Sequence, residues 1–324
     1  MGVVAVTSPL PGNALNRLAQ EHELRLREGP PLQGAALAAF ASGADALICL
    51  LADRVEGQFF AACPSVRVVA VYAVGVNNVD LAAAAQAGVW VTNTPDVLTE
   101  ATADLTLALL LAVTRRVVEG DRFVREGRFT GWKPDLLLGT GLRGKKLGIV
   151  GFGRIGQAVA RRALAFGLQV LYYSRRRHPE GEGPGVQFMP DLEVLLCQVD
   201  ILSLHCPLTP ETYHLLDRRR LSLLKPGAFL INVARGEVVE EAALAELLAA
   251  GHLAGAGLDV YEHEPLVNPG LLVLPNVVLL PHLGSATRET REAMASLVVD
   301  NVLAVLSGKP PLTPVVGPGA PGAP

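Results

Sequence analysis

Residues 147–177 constrain the fold of this chain more than any other segment. Residues 147–150 form a short apolar run typical of a buried strand, and a second apolar run occupies residues 169–173. Between them, a glycine-rich turn leads into a stretch of helical period that ends near Phe166. The order strand, turn, helix, strand predicts a βαβ unit with two parallel strands in one sheet.

The turn has the sequence GFGRIG at residues 151–156, and its three glycines have different consequences. Gly151 permits a tight turn, Gly153 lets a pyrophosphate approach the backbone, and Gly156 lets the helix pack closely on the strand. The helix that follows presents its positive end to the phosphates. In this setting the pattern predicts a dinucleotide-binding loop. The alternative is an α/β domain with a glycine-rich turn and no ligand.

The end of the second strand indicates which dinucleotide is bound. NAD sites usually carry Asp or Glu about 20 residues after the glycines, where the carboxylate binds the ribose 2′-hydroxyl. Here that position is Ser174, followed by Arg175, Arg176 and Arg177. A carboxylate would repel a 2′-phosphate, whereas guanidinium groups bind it in bidentate fashion. We therefore predict NADP(H) as the preferred cofactor and leave NAD(H) open; a solvated basic loop is the alternative interpretation.

Length and composition fit two domains and argue against several protein classes. The chain has 324 residues, of which 50% are hydrophobic, enough for two domain cores. The formal net charge of −3 argues against a nucleic-acid or membrane-surface partner. The longest apolar run, residues 107–113, is too short to span a bilayer, and no signal peptide is visible, so a cytoplasmic location is expected. Four scattered cysteines without CxxC spacing indicate neither a metal site nor a disulfide framework.

Strands and helices alternate along most of the chain, which is typical of parallel sheets covered on both faces. Strands are predicted at residues 3–7, 46–49, 66–71 and 89–92, and near 147–150, 169–173, 199–204, 228–232, 255–258 and 277–280. Helices are predicted at 13–20, 34–41 and 81–87, and near 154–166, 191–197 and 240–250.

Three further segments complete the domain prediction. Residues 99–118 are predicted to form one long helix that is too apolar for a simple surface helix, and we expect it to bridge domains or bury a face against a second subunit. A final helix at 286–306 is expected to return to the first domain, and the tail 317–324 is disordered by composition. The predicted fold class is α/β, with two Rossmann-like parallel-sheet domains and an active-site cleft between them. The substrate domain comprises residues 1–98 and 288–324, and the NADP-binding domain residues 99–287.

Ionisable residues follow three of the predicted strands, where ligands of open α/β sheets bind. Reduction of a 2-keto acid needs a cation for the carboxylate and a proton donor for the carbonyl oxygen. Arg235 suits the first role and His282 the second, with Glu264 hydrogen-bonded to the other imidazole nitrogen. Taken singly, each has a plainer explanation: a surface cation for Arg235, a structural role for His282, a loop position for Glu264 and a loop cap for Asp259.

Seven motifs spread over residues 3–312 add a family resemblance: VGVNNVD (74–80), ATADLTLALLL (101–111), GFGRIGQAVARR (151–162), CPLTPET (206–212), NVARGEVV (232–239), GLDVYEHEPL (257–266) and PHLGSAT (281–287). In these motifs the chain resembles the D-2-hydroxyacid dehydrogenase family, and within it the glyoxylate/hydroxypyruvate reductase (glycerate dehydrogenase) branch. The resemblance implies reduction of glyoxylate to glycolate and of hydroxypyruvate to D-glycerate, by hydride transfer from NADPH with His282 as proton donor.

The resemblance also implies roles for individual residues. Arg235, Glu264 and His282 would be the catalytic trio. The substrate would be bound by the backbone amides of Val74 and Gly75, by Leu51 and Ser285, and by Trp132, which reaches into the partner's active site in a homodimer. Asp259 would lie near the nicotinamide carboxamide. The rest of the cofactor groove would comprise Thr102, Gly151, Phe152, Gly153, Arg154, Ile155, Gly156, Ser174, Arg175, Arg176, Cys206, Pro207, Thr212, Val233, Ala234 and Gly284.

Two other functions stay open. One is an NAD-dependent dehydrogenase of D-3-phosphoglycerate or another D-2-hydroxyacid. Arg54 is the only basic residue within 51–54 and 74–78, where a phosphorylated substrate would need more positive charge. The other is a dinucleotide-sensing regulator similar to a corepressor, since similar folds serve in that role.

Overall fold

The computed structural model describes residues 1–318, so most of the tail predicted to be disordered lies outside the described residues. The chain forms two compact units. The first comprises Met1–Leu98 and Ser285–Pro324, and the second Thr99–Gly284. Within the described part, no helix is both long and apolar enough to cross a membrane.

Strands and helices alternate through the first unit and return to it after the second. Its elements are β1 (Val3–Val6), α1 (Ala14–Glu21), β2 (Glu23–Leu26), α2 (Gly34–Ala41), β3 (Ala46–Cys49), α3 (Gly57–Ala62), β4 (Val68–Val71), α4 (Leu81–Gln86) and β5 (Trp90–Thr92). The second unit contains α5 (Thr99–Thr114), α6 (Val117–Arg125), β6 (Lys146–Val150), α7 (Arg154–Ala165), β7 (Gln169–Tyr173), β8 (Val186–Phe188), α8 (Leu192–Gln198), β9 (Ile201–Leu204), α9 (Arg218–Ser222), β10 (Ala228–Asn232), α10 (Glu241–Ala249), β11 (Leu253–Leu258), α11 (Pro269–Leu272) and β12 (Val277–Leu279). The first unit then ends with α12 (Arg288–Leu306) and β13 (Pro314–Val316).

The first unit is built on a six-stranded sheet of order β13-β5-β4-β3-β1-β2. Its neighbouring strands are parallel except for β13, which runs antiparallel to β5. Every residue of β3 and β4 is buried, because helices cover both faces of the sheet, and this explains their uninterrupted apolar sequences. The C-terminal α12 packs against α1, β3 and β4 and buries Met294, Val298 and Val302.

The second unit is built on a seven-stranded parallel sheet of order β12-β11-β10-β9-β6-β7-β8. The strand order reverses between β6 and β9, which lie side by side with Val150 opposite Leu204. Such a reversal leaves a crevice at the carboxyl edge, and the glycine turn leaves β6 at this place. The predicted α/β fold class, with two mostly parallel sheets flanked by helices, is confirmed.

The prediction of one continuous helix over residues 99–118 is wrong. Helix α5 ends at Thr114, and Arg116 adopts a left-handed backbone with φ 54° before α6 begins. The carbonyl of Thr114 accepts a hydrogen bond from the Thr140 amide at 2.7 Å. This distant partner satisfies a carbonyl at the end of α5, and the left-handed residue then ends the helix.

Several short elements have no counterpart among the predicted ones: β2, β8 and β13, which are edge strands, and α3, α9 and α11. Their lengths of three to six residues are too short for a clear period to show in the sequence.

Two glycines of the turn provide a matched pair for a test of packing. A Cβ added at Gly156 would lie 2.3 Å from the carbonyl oxygen of Gly151, whereas one added at Gly153 meets nothing within 4 Å. We therefore expect G156A to lower the free energy of unfolding by about 1–3 kcal/mol, and G153A to leave it within about 0.5 kcal/mol. Denaturant unfolding without cofactor measures both. Equal stability of the two variants would contradict this packing.

Candidate active site

Five of the predicted residues of the second unit lie in loops at one edge of its sheet. Because all seven strands are parallel, the loops that follow them emerge on the same side. Gly151 follows β6, Ser174 follows β7, Arg235 follows β10, Asp259 follows β11 and His282 follows β12. The structure thus brings residues more than a hundred positions apart in the chain to one edge.

The glycine turn has the shape that a pyrophosphate requires. Gly151 has φ 92°, and a Cβ there would lie 2.5 Å from the Cys206 amide nitrogen, so only glycine fits. At Gly153 the added Cβ would point into open space, next to the N-terminus of α7. The Phe152 ring is buried and stacks on the Tyr172 ring, with ring centroids 3.7 Å apart. This stacking anchors the turn to β7. The residues present therefore fit a dinucleotide phosphate.

The basic loop after β7 separates its three arginines. Arg177 forms a bidentate pair with Glu182, with distances of 2.8 and 2.7 Å, and this pair holds the pKa of Glu182 at about 2. All three arginines are exposed, but no carboxylate is paired with Arg175 or Arg176 among the ion pairs of the described residues. The Ser174 hydroxyl donates to the Arg176 carbonyl and so shapes the turn that carries both. Two guanidinium groups next to the groove are consistent with binding of a 2′-phosphate.

The remaining candidates of the cofactor groove lie at the same edge. Hydroxyls stabilise two of its loops: Thr102 donates to the Gly284 carbonyl at 3.1 Å, and Thr212 donates to the Pro207 carbonyl at 2.7 Å. The others lie in the glycine turn and α7, and after β9 and β10: Phe152, Arg154, Ile155, Gly156, Cys206, Pro207, Val233 and Ala234.

The imidazole of His282 and the carboxylate of Glu264 are hydrogen-bonded. His282 Nδ1 lies 2.9 Å from Glu264 Oε2, and the Tyr261 amide donates to Glu264 Oε1 at 3.1 Å. Burial raises the pKa of Glu264, but the hydrogen bond and charge of His282, the Tyr261 amide and the charge of Arg235 outweigh burial, so this pKa lies below its usual value. Glu264 is therefore ionised at neutral pH and accepts through both oxygens, which leaves His282 Nε2 as the ring nitrogen available to a ligand.

Asp259 fixes the backbone that carries His282. Its two carboxylate oxygens accept hydrogen bonds from the amides of Leu283 and Gly284, at 2.6 and 2.8 Å. Its carbonyl accepts from the His282 amide at 2.9 Å. His282 itself has φ 56°, a conformation that costs a histidine energy and persists only when its surroundings impose it. Burial is the main reason that the pKa of Asp259 is raised.

Arg235 is half-buried in a tight turn after β10. The side chain of Asn232 closes this turn: its amide donates to the Arg235 carbonyl at 2.9 Å, and its oxygen accepts from the Ala234 amide at 3.0 Å. A Cβ added at Gly236 would lie 1.8 Å from the Tyr261 carbonyl carbon, so glycine lets this loop lie against the loop that carries Glu264. Burial lowers the pKa of Arg235, although two nearby glutamates oppose it. Asn232 is not among the predicted site residues. The sequence feature that could have indicated it is a polar residue at the end of an apolar strand.

The substrate-binding candidates fall in both units. Leu51 follows β3, Val74 and Gly75 follow β4, and Ser285 precedes α12, all in the first unit. Trp132 belongs to the second unit, and 82% of its surface is exposed.

A buried carboxylate organises the turn that contains Leu51, and the sequence analysis missed it. Asp53 is only 2% exposed and accepts hydrogen bonds from Thr7 Oγ1 at 2.5 Å and from the amides of Leu32 and Leu50 at 2.7 and 2.9 Å. Asn78 Nδ2 donates to the carbonyls of Leu50 and Asp53 at 3.0 and 2.9 Å. These bonds tie the loop after β3 to the loop after β4.

A family model described as "D-isomer specific 2-hydroxyacid dehydrogenase, NAD binding domain" matches residues 107–284, most of the second unit. The chain belongs to the D-isomer specific 2-hydroxyacid dehydrogenase family. A glyoxylate reductase of Thermococcus litoralis is 49% identical over 315 residues, which is 95% of each chain. The crystal structure of the TT0316 protein from Thermus thermophilus matches with a TM-score of 0.92 and 52% identity, covering 97% of this chain and 100% of that one.

A third relative has a bound dinucleotide. The NADPH-dependent glyoxylate/hydroxypyruvate reductase of Sinorhizobium meliloti, in complex with NADP and malonate, is 39% identical with a TM-score of 0.87, covering 97% of this chain and 96% of that one. As a member of the 2-hydroxyacid dehydrogenase family, the present chain is an NAD(P)-dependent oxidoreductase. Among residues 1–318 no group of His, Cys, Asp and Glu side chains is arranged to hold a metal ion.

In this 2-hydroxyacid dehydrogenase, Asp259 offers a direct test of how His282 is held. D259A removes both acceptors of the 283–284 amides, so we expect faster hydrogen exchange at those amides and a fall in kcat of at least about tenfold.

The matched control is D200A. Asp200 also accepts a backbone amide, that of Lys146 at 2.8 Å, but it lies at the opposite edge of the sheet. Its loss is expected to cost stability and leave kcat within about twofold. Equal kcat values for D259A and the unchanged enzyme would show that Asp259 does not hold His282 for turnover.

Proposed function

We propose that this chain is an NADPH-preferring reductase that converts glyoxylate to glycolate and hydroxypyruvate to D-glycerate. The observation that carries the proposal is the arrangement of Arg235, Glu264 and His282 at the edge of the sheet that also carries the glycine turn. A cation, a proton donor and its carboxylate partner are the groups that reduction of a 2-keto acid needs. The names of the relatives from Thermococcus litoralis and Sinorhizobium meliloti support the same substrate class.

The three side chains divide the work as follows. Arg235 binds the substrate carboxylate through its planar fork of donors. NADPH, if held at the glycine turn, would supply the hydride that the carbonyl carbon accepts. His282 donates the proton on Nε2 to the carbonyl oxygen, so the C=O bond becomes an alcohol, and the imidazole regains a proton from solvent. Glu264 holds Nδ1, which fixes the orientation of the ring and directs Nε2 to the substrate.

The preference for NADPH over NADH follows from the loop after β7. No carboxylate stands at Ser174, so nothing at this position repels a 2′-phosphate. Arg177 forms an ion pair with Glu182. The exposed Arg175 and Arg176 are therefore the two arginines that would bind the 2′-phosphate.

The first unit takes the substrate-binding role in this proposal, with the amides of Val74 and Gly75 directed at the carboxylate. We also propose a homodimer. Helix α6 and the segment after it expose several large apolar side chains, which a second copy of the chain would cover: Val117, Val124, Phe129, Trp132 and Leu138. In that dimer Trp132 contributes to the partner's substrate site.

The direct experiment measures oxidation of NADPH and NADH with glyoxylate, hydroxypyruvate, 3-phosphohydroxypyruvate and pyruvate. We expect the highest kcat/KM for glyoxylate or hydroxypyruvate with NADPH. A preference for the phosphorylated substrate with NADH would favour a phosphoglycerate dehydrogenase instead. Binding of NADPH without turnover of any of the four would favour a regulator.

Replacement of Arg235 tests the carboxylate-binding role. R235A is expected to lower kcat/KM for glyoxylate by at least about 50-fold, because hydrogen bonds to a charged partner are lost. R219A, at an exposed arginine paired with Glu193, removes the same charge elsewhere in the second unit and should have no such effect. Activity of R235A within about threefold of the unchanged enzyme would remove Arg235 from the mechanism.

Replacement of two arginines tests the cofactor preference. The double variant R175A/R176A is expected to weaken NADPH binding by about 30-fold or more and NADH binding by less than about threefold, since only NADPH carries the 2′-phosphate. R218A/R219A removes the same two charges from α9 and is the control. Equal loss of affinity for both dinucleotides, measured by calorimetry, would show that these arginines do not bind the 2′-phosphate.

A further inference from the structure

Asn93 directly follows β5 in the first unit and contacts the loop after β4. Its side-chain amide nitrogen donates a hydrogen bond to the carbonyl oxygen of Val74 at 2.7 Å. The backbone reinforces this contact, because the Thr94 amide donates to the Ala73 carbonyl at 2.8 Å. The carbonyl of the Val74–Gly75 peptide therefore has a defined partner.

The direction of that carbonyl sets the direction of the next amide. The Val74–Gly75 peptide is trans, and in a planar trans peptide the C=O and N–H bonds point to opposite sides. With its carbonyl on Asn93, the peptide presents the Gly75 N–H on the far side. Across residues 1–318 no acceptor takes this amide, and Gly75 is only half-buried, so the N–H is available to an external anion.

A partly buried polar network, anchored on the buried Asn301, in turn fixes Asn93. The Thr313 hydroxyl donates to the Asn93 carbonyl at 2.7 Å and accepts from Asn301 Nδ2 at 2.8 Å. Asn301 Oδ1 accepts from the Thr313 amide at 3.0 Å, and Asn301 is completely buried in α12. A hydrogen-bond network anchored on a buried residue rigidifies the groups that it joins. Rigidity therefore extends from the core of the first unit through Asn93 to the Gly75 amide.

We propose that Asn93 is a positioning residue for substrate: by holding the Val74 carbonyl, it aims the Gly75 amide at the carboxylate of the 2-keto acid. This inference rests on the proposed function, which assigns carboxylate binding to that amide. Asn93 itself touches neither substrate nor dinucleotide in this arrangement. Its effect is therefore confined to substrate affinity, and dinucleotide affinity is independent of it.

Two variants of Asn93 test the proposal. N93A removes the donor, and N93D keeps the size of the side chain but replaces the donor with a carboxylate that repels both the Val74 carbonyl and an anionic substrate. We expect the KM for glyoxylate to rise about tenfold in N93A and further in N93D. The Kd for NADPH, measured by calorimetry, and kcat at saturating glyoxylate should stay within about twofold in both variants.

The control is N276D, which makes the same chemical change in the second unit, where Asn276 Nδ2 donates to the Ala254 carbonyl at 3.3 Å. Its KM should match that of the unchanged enzyme. A KM within about twofold in both Asn93 variants would overturn the inference while the proposed function stands. A parallel loss of NADPH affinity would also overturn it, because the effect would then be a general structural one. Failure of the unchanged chain to reduce glyoxylate and hydroxypyruvate would remove the proposed function and this inference with it.

Discussion

The hydrogen bonds from two consecutive amides to the buried Asp259 carboxylate are the interaction on which the active-site geometry depends. They hold residues 282–284 in a conformation that includes a left-handed histidine, which the local sequence alone would not favour. From this backbone the imidazole of His282 reaches Glu264. Asp259 therefore positions the His282 imidazole without a hydrogen bond to the ring, by fixing the backbone that carries it.

Hydrogen bonds from polar side chains to loop backbone also occur near three other strand ends. Asn232 closes the turn of Arg235, Asp53 and Asn78 tie the loop after β3 to the loop after β4, and Asn93 holds the peptide before Gly75. In each case a polar side chain at or just after a buried strand satisfies backbone groups of a loop. These hydrogen bonds define the shapes of the loops, and they are strongest at Asp53, where the carboxylate is buried. Preorganisation of this kind is what binding and catalysis at loops require.

The sequence predicts the parts of this arrangement that depend on local pattern. The βαβ unit at 147–177 and the placement of Arg235 and His282 after strands follow from apolar runs, glycines and the rule that ligands lie at strand ends. The break after Thr114 is not predictable in this way, because its cause is the amide of Thr140, which is distant in the sequence. Nor does the sequence show that, of the three exposed arginines 175–177, it is Arg177 that pairs with Glu182. The supporting residues Asp53 and Asn93 are not predictable from the sequence because they act on backbone atoms; Asn232 leaves a weak signal as the polar residue that ends an apolar strand.

The measurement that tests the central claim most directly is a crystal structure of the enzyme with NADP⁺ and oxamate, an unreactive analogue of a 2-keto acid. We predict the oxamate carboxylate on the Arg235 guanidinium, its carbonyl oxygen on His282 Nε2, and the 2′-phosphate between Arg175 and Arg176. Oxamate bound away from Arg235 and His282, or a 2′-phosphate that contacts neither arginine, would contradict this description of the site.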